Sequence, residues 1–322
     1  MTSARRCTPA AIGIGDRAQQ VTVETVVTAA MRDMTRSVKG AVLGIGARAQ
    51  YDALMEGVPQ RGDVSFQAGT VGGVPGIWVL PTVRQPGNTI LHLHGGWFNL
   101  GTASAYRHLV GHIAARAEAE AFIPDYRRAP EHPFPAASDD VHSSYQALAE
   151  MHGRKIVLTG DSAGGNLALG LGARLTNGAV PPKVTPVGIA VMSPVTDLTL
   201  SGTTYETRAE ADPLFTRPQV ASLVESYLRG SDPADPLASP LNARLSAMPP
   251  IRIHVGDDEV LLADSTRYAE RAAAAGIDVR LDLWLGMPHG FVGNPGKLKA
   301  AALALDSIGT FLKARFRDPQ TG

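Results

Sequence analysis

The chain has 322 residues, with 30 lysine or arginine and 30 aspartate or glutamate residues, so its formal net charge is zero. This length allows one large α/β domain, and the lack of a basic excess argues against nucleic acid or an anionic membrane as a partner. Cys7 is the only cysteine, which excludes an intrachain disulfide and a cysteine-based zinc site. No apolar run approaches the roughly 18 residues of a membrane helix. We therefore expect a cytoplasmic protein whose partners are small molecules or a second copy of the chain.

Eight strand candidates follow residue 60, and helical patterns separate the later ones. The first two strands form a hairpin around a glycine-rich turn, and the later strands are near-continuous apolar runs, as in strands buried on both faces. The predicted strands are 64–69, 76–80, 89–93, 121–125, 155–159, 187–192, 251–255 and 279–285. The predicted helices between and after them are 103–117, 138–150, 164–175, 262–275 and 297–315. This alternation predicts right-handed parallel crossovers, hence a mostly parallel eight-stranded sheet with helices on both faces.

Two regions do not follow this alternation. Residues 1–58 contain helix-like segments but no convincing strand, and residues 197–248 are rich in proline, aspartate and serine around one helix near 217–229. In α/β sheets, such additions usually cover the carboxyl ends of the strands, where ligands bind. We interpret 1–58 as an N-terminal cap segment and 59–322 as one α/β domain with a helical cap insertion at about 197–248. A disordered tail is an equally good interpretation of residues 1–20.

The segment Gly160-Asp161-Ser162-Ala163-Gly164 follows an apolar strand and opens a helix of small residues. A chain that turns this sharply from strand to helix needs glycine on both sides of the turn, and it exposes the serine oxygen above the sheet. The helix N-terminus behind the serine favours developing negative charge. A glycine-rich turn with an N-capping serine is the alternative, but the flanking strand and helix favour Ser162 as a nucleophile.

A second glycine-bearing loop, 94–98, directly follows the strand 89–93. A loop at this place can supply backbone amides to the oxygen of a reacting carbonyl. We predict an oxyanion hole made by amides near Gly95, Gly96, Trp97 and Ala163, with His94 making an orienting hydrogen bond.

The base and the acid are predicted near the C-terminus. Serine needs a base to take its proton, and the base needs an acid that fixes its tautomer. His289 is chosen from nine histidines because it alone lies in a loop after the strand that follows the acid. Asp258 is the predicted acid and Asp257 its adjacent rival. Asp212 also resembles a catalytic acid, but it precedes the strand that should carry the acid, so we reject it.

A catalytic metal is not expected. His108 and His112 are spaced four residues apart on a predicted helix, as in zinc proteases, but Leu109 stands where such a motif needs glutamate. We predict no metal and no cofactor.

Four ordered motifs resemble those of the bacterial hormone-sensitive lipase family of esterases, within the α/β-hydrolase fold. The family's HGGG, DYRLAPE, GDSAG and HGF motifs correspond here to HGGWF at 94–98, DYRRAPEHPFPAA at 125–137, GDSAG at 160–164 and HGF at 289–291. The resemblance runs from about residue 60 to the C-terminus. It implies an α/β-hydrolase domain with a helical cap, Ser162 as nucleophile, His289 as base and Asp258 as acid. It also implies cytoplasmic carboxylesterase activity and a homodimer that pairs through the last strand.

Two departures from the family pattern affect these expectations. Trp97 replaces the third glycine of HGGG, although its backbone amide remains, and GDDEVLLAD replaces the usual DPLxDE acid loop. Arg127 and Glu131 of the second motif are candidates for bracing the loops under the site.

We therefore expect a carboxylic ester hydrolase that acts through a Ser-His-Asp triad and an acyl-enzyme. A tryptophan beside the reacting carbonyl would favour short acyl groups such as acetyl, unless it points away and braces the cap. The alternatives are a non-catalytic ligand receptor on the same fold, or an amidase, lactonase or long-chain lipase.

Overall fold

The computed structural model describes residues 11–14, 29–30, 32–33, 39–41, 44–151, 153–178 and 184–318. Cys7 and most of the predicted N-terminal cap segment therefore lie outside the described residues, as does His152. Within the described ranges, no helix is both long and apolar enough to span a bilayer.

In the described part of the chain, the strands form a single nine-stranded sheet in the order β1-β9-β8-β7-β6-β4-β5-β3-β2. The strands are β1 Ala11–Ile14, β2 Val64–Val71, β3 Val74–Pro81, β4 Asn88–Leu93, β5 Glu120–Pro124, β6 Lys155–Asp161, β7 Gly188–Met192, β8 Ile251–Gly256 and β9 Val279–Trp284. β2 and β3 pair antiparallel, as do β3 and β5, and the other neighbouring strands are parallel. All eight predicted strands are present, and the mostly parallel α/β-hydrolase architecture is confirmed.

The ninth strand, β1, corrects the prediction that residues 1–58 contain no strand. β1 pairs in parallel with β9, with Ala11 opposite Arg280 and Ile14 opposite Leu283. Residues of the same chain therefore pair with the outer edge of β9. β1 covers Arg280–Leu283 of the edge that the expected homodimer would use, and the homodimer stays a prediction.

The helices are α1 Arg48–Glu56, α2 Ala103–Ala117, α3 Ala136–Glu150, α4 Ala163–Asn177, α5 Thr204–Thr207, α6 Arg217–Leu228, α7 Leu262–Ala274 and α8 Lys299–Arg317. Because successive strand residues point to opposite faces, each central strand contributes to two cores. In β4, Ile90 joins the core beneath α2 and α8, whereas the neighbouring Leu91 joins the core beneath α3, α4 and α7. The helices therefore cover both faces of the sheet, as predicted.

The two irregular regions contact each other. Lys39 Nζ donates to the carbonyl of Ala209 at 2.6 Å, and Gln219 Nε2 donates to the carbonyl of Ala41 at 2.7 Å. Gln219 also completes a capping box with Thr216, which defines the start of α6. The N-terminal segment and the insertion thus meet around the first turn of α6.

Candidate active site

Ser162 lies at the sharp turn between β6 and α4. Its backbone has φ 54° and ψ −120°, a conformation that costs about 1–3 kcal/mol and is held by the surrounding structure. A Cβ atom on Gly160 would overlap the backbone of Gly164, and one on Gly164 would overlap the backbone of Leu93, so both positions require glycine. The Ser162 side chain makes no capping bond to α4. The capping alternative is therefore excluded, and the turn has the geometry of a nucleophile elbow.

The turn after β4, residues 94–98, is the predicted oxyanion turn, and hydrogen bonds fix the carbonyls of two of its successive peptides. His94 Nδ1 lies 2.9 Å from the carbonyl of Gly95, and the Gly96 carbonyl accepts from the amides of Asn99 at 3.0 Å and Leu100 at 2.8 Å. Because the N–H and C=O of one peptide point in opposite directions, these carbonyl bonds direct the amides of Gly96 and Trp97 the other way. Neither amide has an acceptor among the described residues. His94 thus makes the orienting bond that the sequence predicted.

The Gly95 amide, predicted to belong to the oxyanion hole, has another partner. It donates to Asp161 Oδ1 at 3.1 Å, so it is not free for a substrate oxygen. The amides that remain are those of Gly96, Trp97 and Ala163. The Ala163 amide is available because it is the first residue of α4, and first-turn amides have no partner within a helix.

Asp161 anchors this loop within a partly buried chain of polar side chains. Its Oδ2 accepts from the hydroxyl of Tyr106 at 3.0 Å, and that hydroxyl lies 2.7 Å from the hydroxyl of Tyr51 on α1. Burial raises the pKa of Asp161 to about 6, partly opposed by the bonds from Tyr106 and Gly95. Asp161, the residue before Ser162, therefore links the turn after β4 to the N-terminal segment, a role that sequence reasoning missed.

His289 follows β9 and is oriented by Glu259. Its Nδ1 lies 2.8 Å from Glu259 Oε2, and the Glu259 side chain is fully buried. The other oxygen, Oε1, accepts from the Gly256 amide and from the Ser193 hydroxyl, each at 2.7 Å. A fully bonded buried carboxylate against the histidine is the arrangement that an acid needs in order to fix the tautomer.

The predicted acid, Asp258, does not contact His289. Asp258 forms an ion pair with Arg32, and Asp257 Oδ1 accepts from the amide of Gly286. Both aspartates are therefore bound to other groups, and the third acidic residue of the segment reaches the histidine. The predicted contact of Asp258 or Asp257 with His289 is therefore wrong, and Glu259 is the acidic residue of this segment that lies against the histidine.

The pKa of His289 is raised above its ordinary value. Burial opposes protonation, but the charge of Glu259 and its hydrogen bond outweigh burial, with smaller contributions from Asp212 and Asp161. Asp212, rejected as the acid, lies in the insertion and accepts from the amides of Phe215 at 2.9 Å and Val260 at 2.8 Å. It therefore ties the insertion to the loop that carries Glu259.

Aromatic rings extend from the oxyanion turn to the histidine. The Trp97 ring is edge-on to Phe215 at 5.5 Å between centroids, and Phe215 is edge-on to His289 at 5.1 Å. Trp97 is 2% exposed and has φ 52°. It therefore packs against the insertion and also lies next to the ring that covers His289.

Among the described residues, no group of three or more histidine, cysteine, aspartate or glutamate side chains is arranged to hold a metal ion. His108, weighed above as half of a zinc-protease motif, is buried on α2 with its ring edge-on to Phe66 at 5.5 Å.

Comparison with known proteins agrees with this geometry. A family model described as alpha/beta hydrolase fold matches residues 90–293. An acetyl-hydrolase of Streptomyces hygroscopicus is 35% identical over 83% of this chain and 88% of that protein. An esterase of Acinetobacter venetianus is 34% identical over 82% of this chain and 87% of that protein. The crystal structure of an esterase from the bacterial hormone-sensitive lipase family aligns with a TM-score of 0.83 and 33% identity, covering 90% of this chain and 97% of that chain. The chain belongs to the bacterial hormone-sensitive lipase family of serine carboxylesterases.

The second motif of this hormone-sensitive lipase family member has a scaffolding position. Arg127 forms an ion pair with Asp140 at the start of α3, and Glu131 forms a two-pronged ion pair with Arg48 of α1, with N–O distances of 2.7 Å. Both side chains are about half exposed, so these are surface ion pairs, and bracing of the loops by Arg127 and Glu131 stays a prediction.

Proposed function

We propose that the chain hydrolyses carboxylic esters through Ser162, His289 and Glu259. The observation that carries this proposal is the buried Glu259 carboxylate on His289 Nδ1, which leaves Nε2 to serve the nucleophile at the strained elbow. The raised His289 pKa fits a base whose protonated form is stabilised during the reaction.

The reaction would proceed by acyl transfer. Ser162 Oγ attacks the ester carbonyl while His289 takes its proton, and the amides of Gly96, Trp97 and Ala163 stabilise the oxyanion. His289 then gives the proton to the leaving alcohol, which departs from the acyl-enzyme. In the second half, His289 takes a proton from water as the water attacks the acyl carbonyl, and Ser162 regains its proton when the acid leaves.

A preference for short acyl groups such as acetyl forms part of the proposal. A buried indole covers about 150–250 Å² of surface, and Trp97 with Phe215 places two rings between the oxyanion turn and His289. Volume occupied there would exclude long acyl chains and tolerate short ones. Two relatives are named as acetyl-hydrolases, which supports the same substrate class.

We also propose that the N-terminal segment, residues 1–58, and the insertion at about 197–248 together form the cap over the catalytic domain, 59–322. The mutual contacts of these segments around α6 support this assignment. So does the position of Phe215 against His289.

The decisive experiment combines Ser162→Ala with phosphonate labelling. The variant should lose on the order of 10⁵-fold in turnover while remaining folded, and a phosphonate should modify Ser162 and no other serine of the wild-type protein. Ser143→Ala, on α3, is the control and should retain activity. A chromogenic acetyl ester should give a burst of phenol. If no phenol were released at all, the non-catalytic receptor would become the better interpretation.

A further inference from the structure

Asn99 joins the oxyanion turn to both proposed cap segments. The residue is 4% exposed, and its Nδ2 donates to the carbonyl of Trp97 at 2.6 Å. Its Oδ1 accepts from the hydroxyl of Ser226 on α6 at 3.0 Å. Its backbone carbonyl accepts from Nε of Arg48 on α1 at 2.8 Å. One buried residue thus connects the turn and the insertion through its side chain and the N-terminal segment through its backbone carbonyl.

Arg48 holds the same turn by a second route. Its Nη2 donates to the carbonyl of Ala129 at 2.9 Å, and both terminal nitrogens bind Glu131. The amide of Ala129 in turn donates to the carbonyl of Phe98 at 3.0 Å. The carbonyls of residues 98 and 99 are therefore both fixed by contacts that depend on α1.

The turn needs these restraints because of its backbone conformation. Trp97 has φ 52° and Phe98 has φ 61°, values that glycine adopts freely and other residues do not. Without restraint, the two residues would relax by rotating their peptide planes. The bond from Asn99 to the Trp97 carbonyl fixes the plane that follows Trp97. The Trp97 amide belongs to the preceding plane, whose Gly96 carbonyl accepts from the backbone amide of Asn99 at 3.0 Å. The side-chain bond therefore acts on the Trp97 amide by holding Asn99 in place.

We propose that Asn99 is a positioning residue of the oxyanion hole, through which Arg48 and Ser226 influence the chemical step. This inference rests on the proposed function, since it assumes that the Trp97 amide binds the oxyanion. An amide aimed at the developing oxyanion favours the transition state over the bound ester. Loss of Asn99 should therefore lower kcat and leave KM nearly unchanged.

The experiment compares Asn99→Asp, Arg48→Lys and Ser226→Ala. The aspartate keeps the size of the side chain and the acceptor for Ser226, but it removes the donor to Trp97. Each variant is assayed on an acetyl aryl ester and with two inhibitors, an aryl trifluoromethyl ketone and its methyl ketone counterpart. Addition of Ser162 to the trifluoromethyl ketone forms a tetrahedral oxyanion, whereas the methyl ketone reports ground-state binding. Phosphonate titration of active sites corrects every rate for misfolded protein.

We expect Asn99→Asp to lower kcat by about 10–100-fold and to weaken trifluoromethyl ketone binding by the same factor, with KM and methyl ketone binding within about threefold. Arg48→Lys and Ser226→Ala should also lower kcat and weaken trifluoromethyl ketone binding in parallel, each by about three- to tenfold. If Asn99 contributed only to stability, kcat per titrated active site and trifluoromethyl ketone binding would not fall together.

Asn177 offers a control with a similar pair of hydrogen bonds at an exposed position away from the turn. Its Nδ2 donates to the carbonyl of Arg244 at 2.7 Å, and its Oδ1 accepts from the hydroxyl of Ser246 at 2.9 Å, at the far end of α4. Asn177→Asp and Ser246→Ala should leave both inhibitor constants unchanged. The inference is overturned if Asn99→Asp behaves like Asn177→Asp, or if kcat falls without weaker trifluoromethyl ketone binding. Equal inhibition of the wild-type enzyme by the two ketones would instead refute the proposed oxyanion hole, and the inference with it.

Discussion

Glu259 Oε2 lies 2.8 Å from His289 Nδ1, and the glutamate side chain has no exposed surface. Replacing Glu259 with glutamine should lower kcat by on the order of 10⁴-fold, because an amide group no longer stabilises the imidazolium or fixes the tautomer that leaves Nε2 free. Steady-state kinetics on an acetyl aryl ester measures the loss.

The two neighbouring aspartates provide the controls for this prediction. Asp258→Asn removes a partly exposed ion pair with Arg32, and we expect less than about a tenfold loss. Asp257→Asn should have a similarly small effect. If Asp258→Asn proves as damaging as Glu259→Gln, the assignment of Glu259 as the acid is wrong.

The pH dependence of kcat/KM should report the His289 ionisation. His289 must be neutral to accept the serine proton, so activity should rise with pH through the His289 pKa. Because the Glu259 charge outweighs burial and raises this pKa, the rise should be centred above the ordinary histidine value of 6.5. Removal of the carboxylate in Glu259→Gln should move the residual rise to lower pH. A rise centred below 6.5 in the wild-type enzyme would contradict this account.

Acyl-chain selectivity should depend on the two rings beside His289. In Trp97→Gly and in Phe215→Ala, kcat/KM for hexanoyl relative to acetyl esters of one phenol should increase about tenfold, about 1.4 kcal/mol of relieved crowding. Because the measurement is a ratio between esters, it cancels any uniform change in rate.

Phe98 provides the comparison for this prediction. It lies on the same turn with a positive φ, but its ring stacks on Tyr227 at 3.8 Å. Phe98→Leu should therefore lower rates without altering the chain-length profile. An unchanged profile in both Trp97→Gly and Phe215→Ala would show that these rings support the turn and do not select the acyl group.

Asp264 should make stability depend on pH. It is fully buried, and burial raises its pKa from 3.8 to about 7. The folded protein therefore holds this proton more tightly than the unfolded chain. The resulting stabilisation is complete below about pH 3.8 and is lost as pH rises through about 7. The Tm of the wild-type protein minus that of Asp264→Asn should fall across this interval. Asp232 is exposed, so Asp232→Asn is the control for losing a carboxylate without burial. If its Tm difference from the wild type changes with pH as that of Asp264→Asn does, burial of Asp264 is not the cause.

The sequence predicted the elements that periodicity encodes. Strand–helix alternation placed the eight long strands and the main helices within a few residues, and the glycines around Ser162 correctly indicated the elbow. β1 was missed because four residues are too short a run to show a strand period, and pairing with β9 is a long-range contact.

The acid was misassigned for a different reason. The sequence pattern does not distinguish among the three consecutive acidic residues Asp257, Asp258 and Glu259. Only the path of the loop decides which of them faces His289. The apolar segment Val260-Leu261-Leu262 after Glu259 indicates that this position is buried. A buried carboxylate needs a partner, which points to Glu259 as the residue paired with a histidine. The partners of Gly95 and Asn99 are contacts between distant segments, and no local pattern predicts them.

The β1–β9 pairing has a consequence for the order of folding. Ala11 lies opposite Arg280, about 270 residues later in the chain, so closing this contact carries a large entropic cost for only four residues of pairing. During synthesis, β1 emerges long before its partner strand and can pair only after nearly the whole domain has formed. It should therefore be the last strand to join the sheet and the first to detach on heating. Its amides should exchange hydrogen well before those of β8.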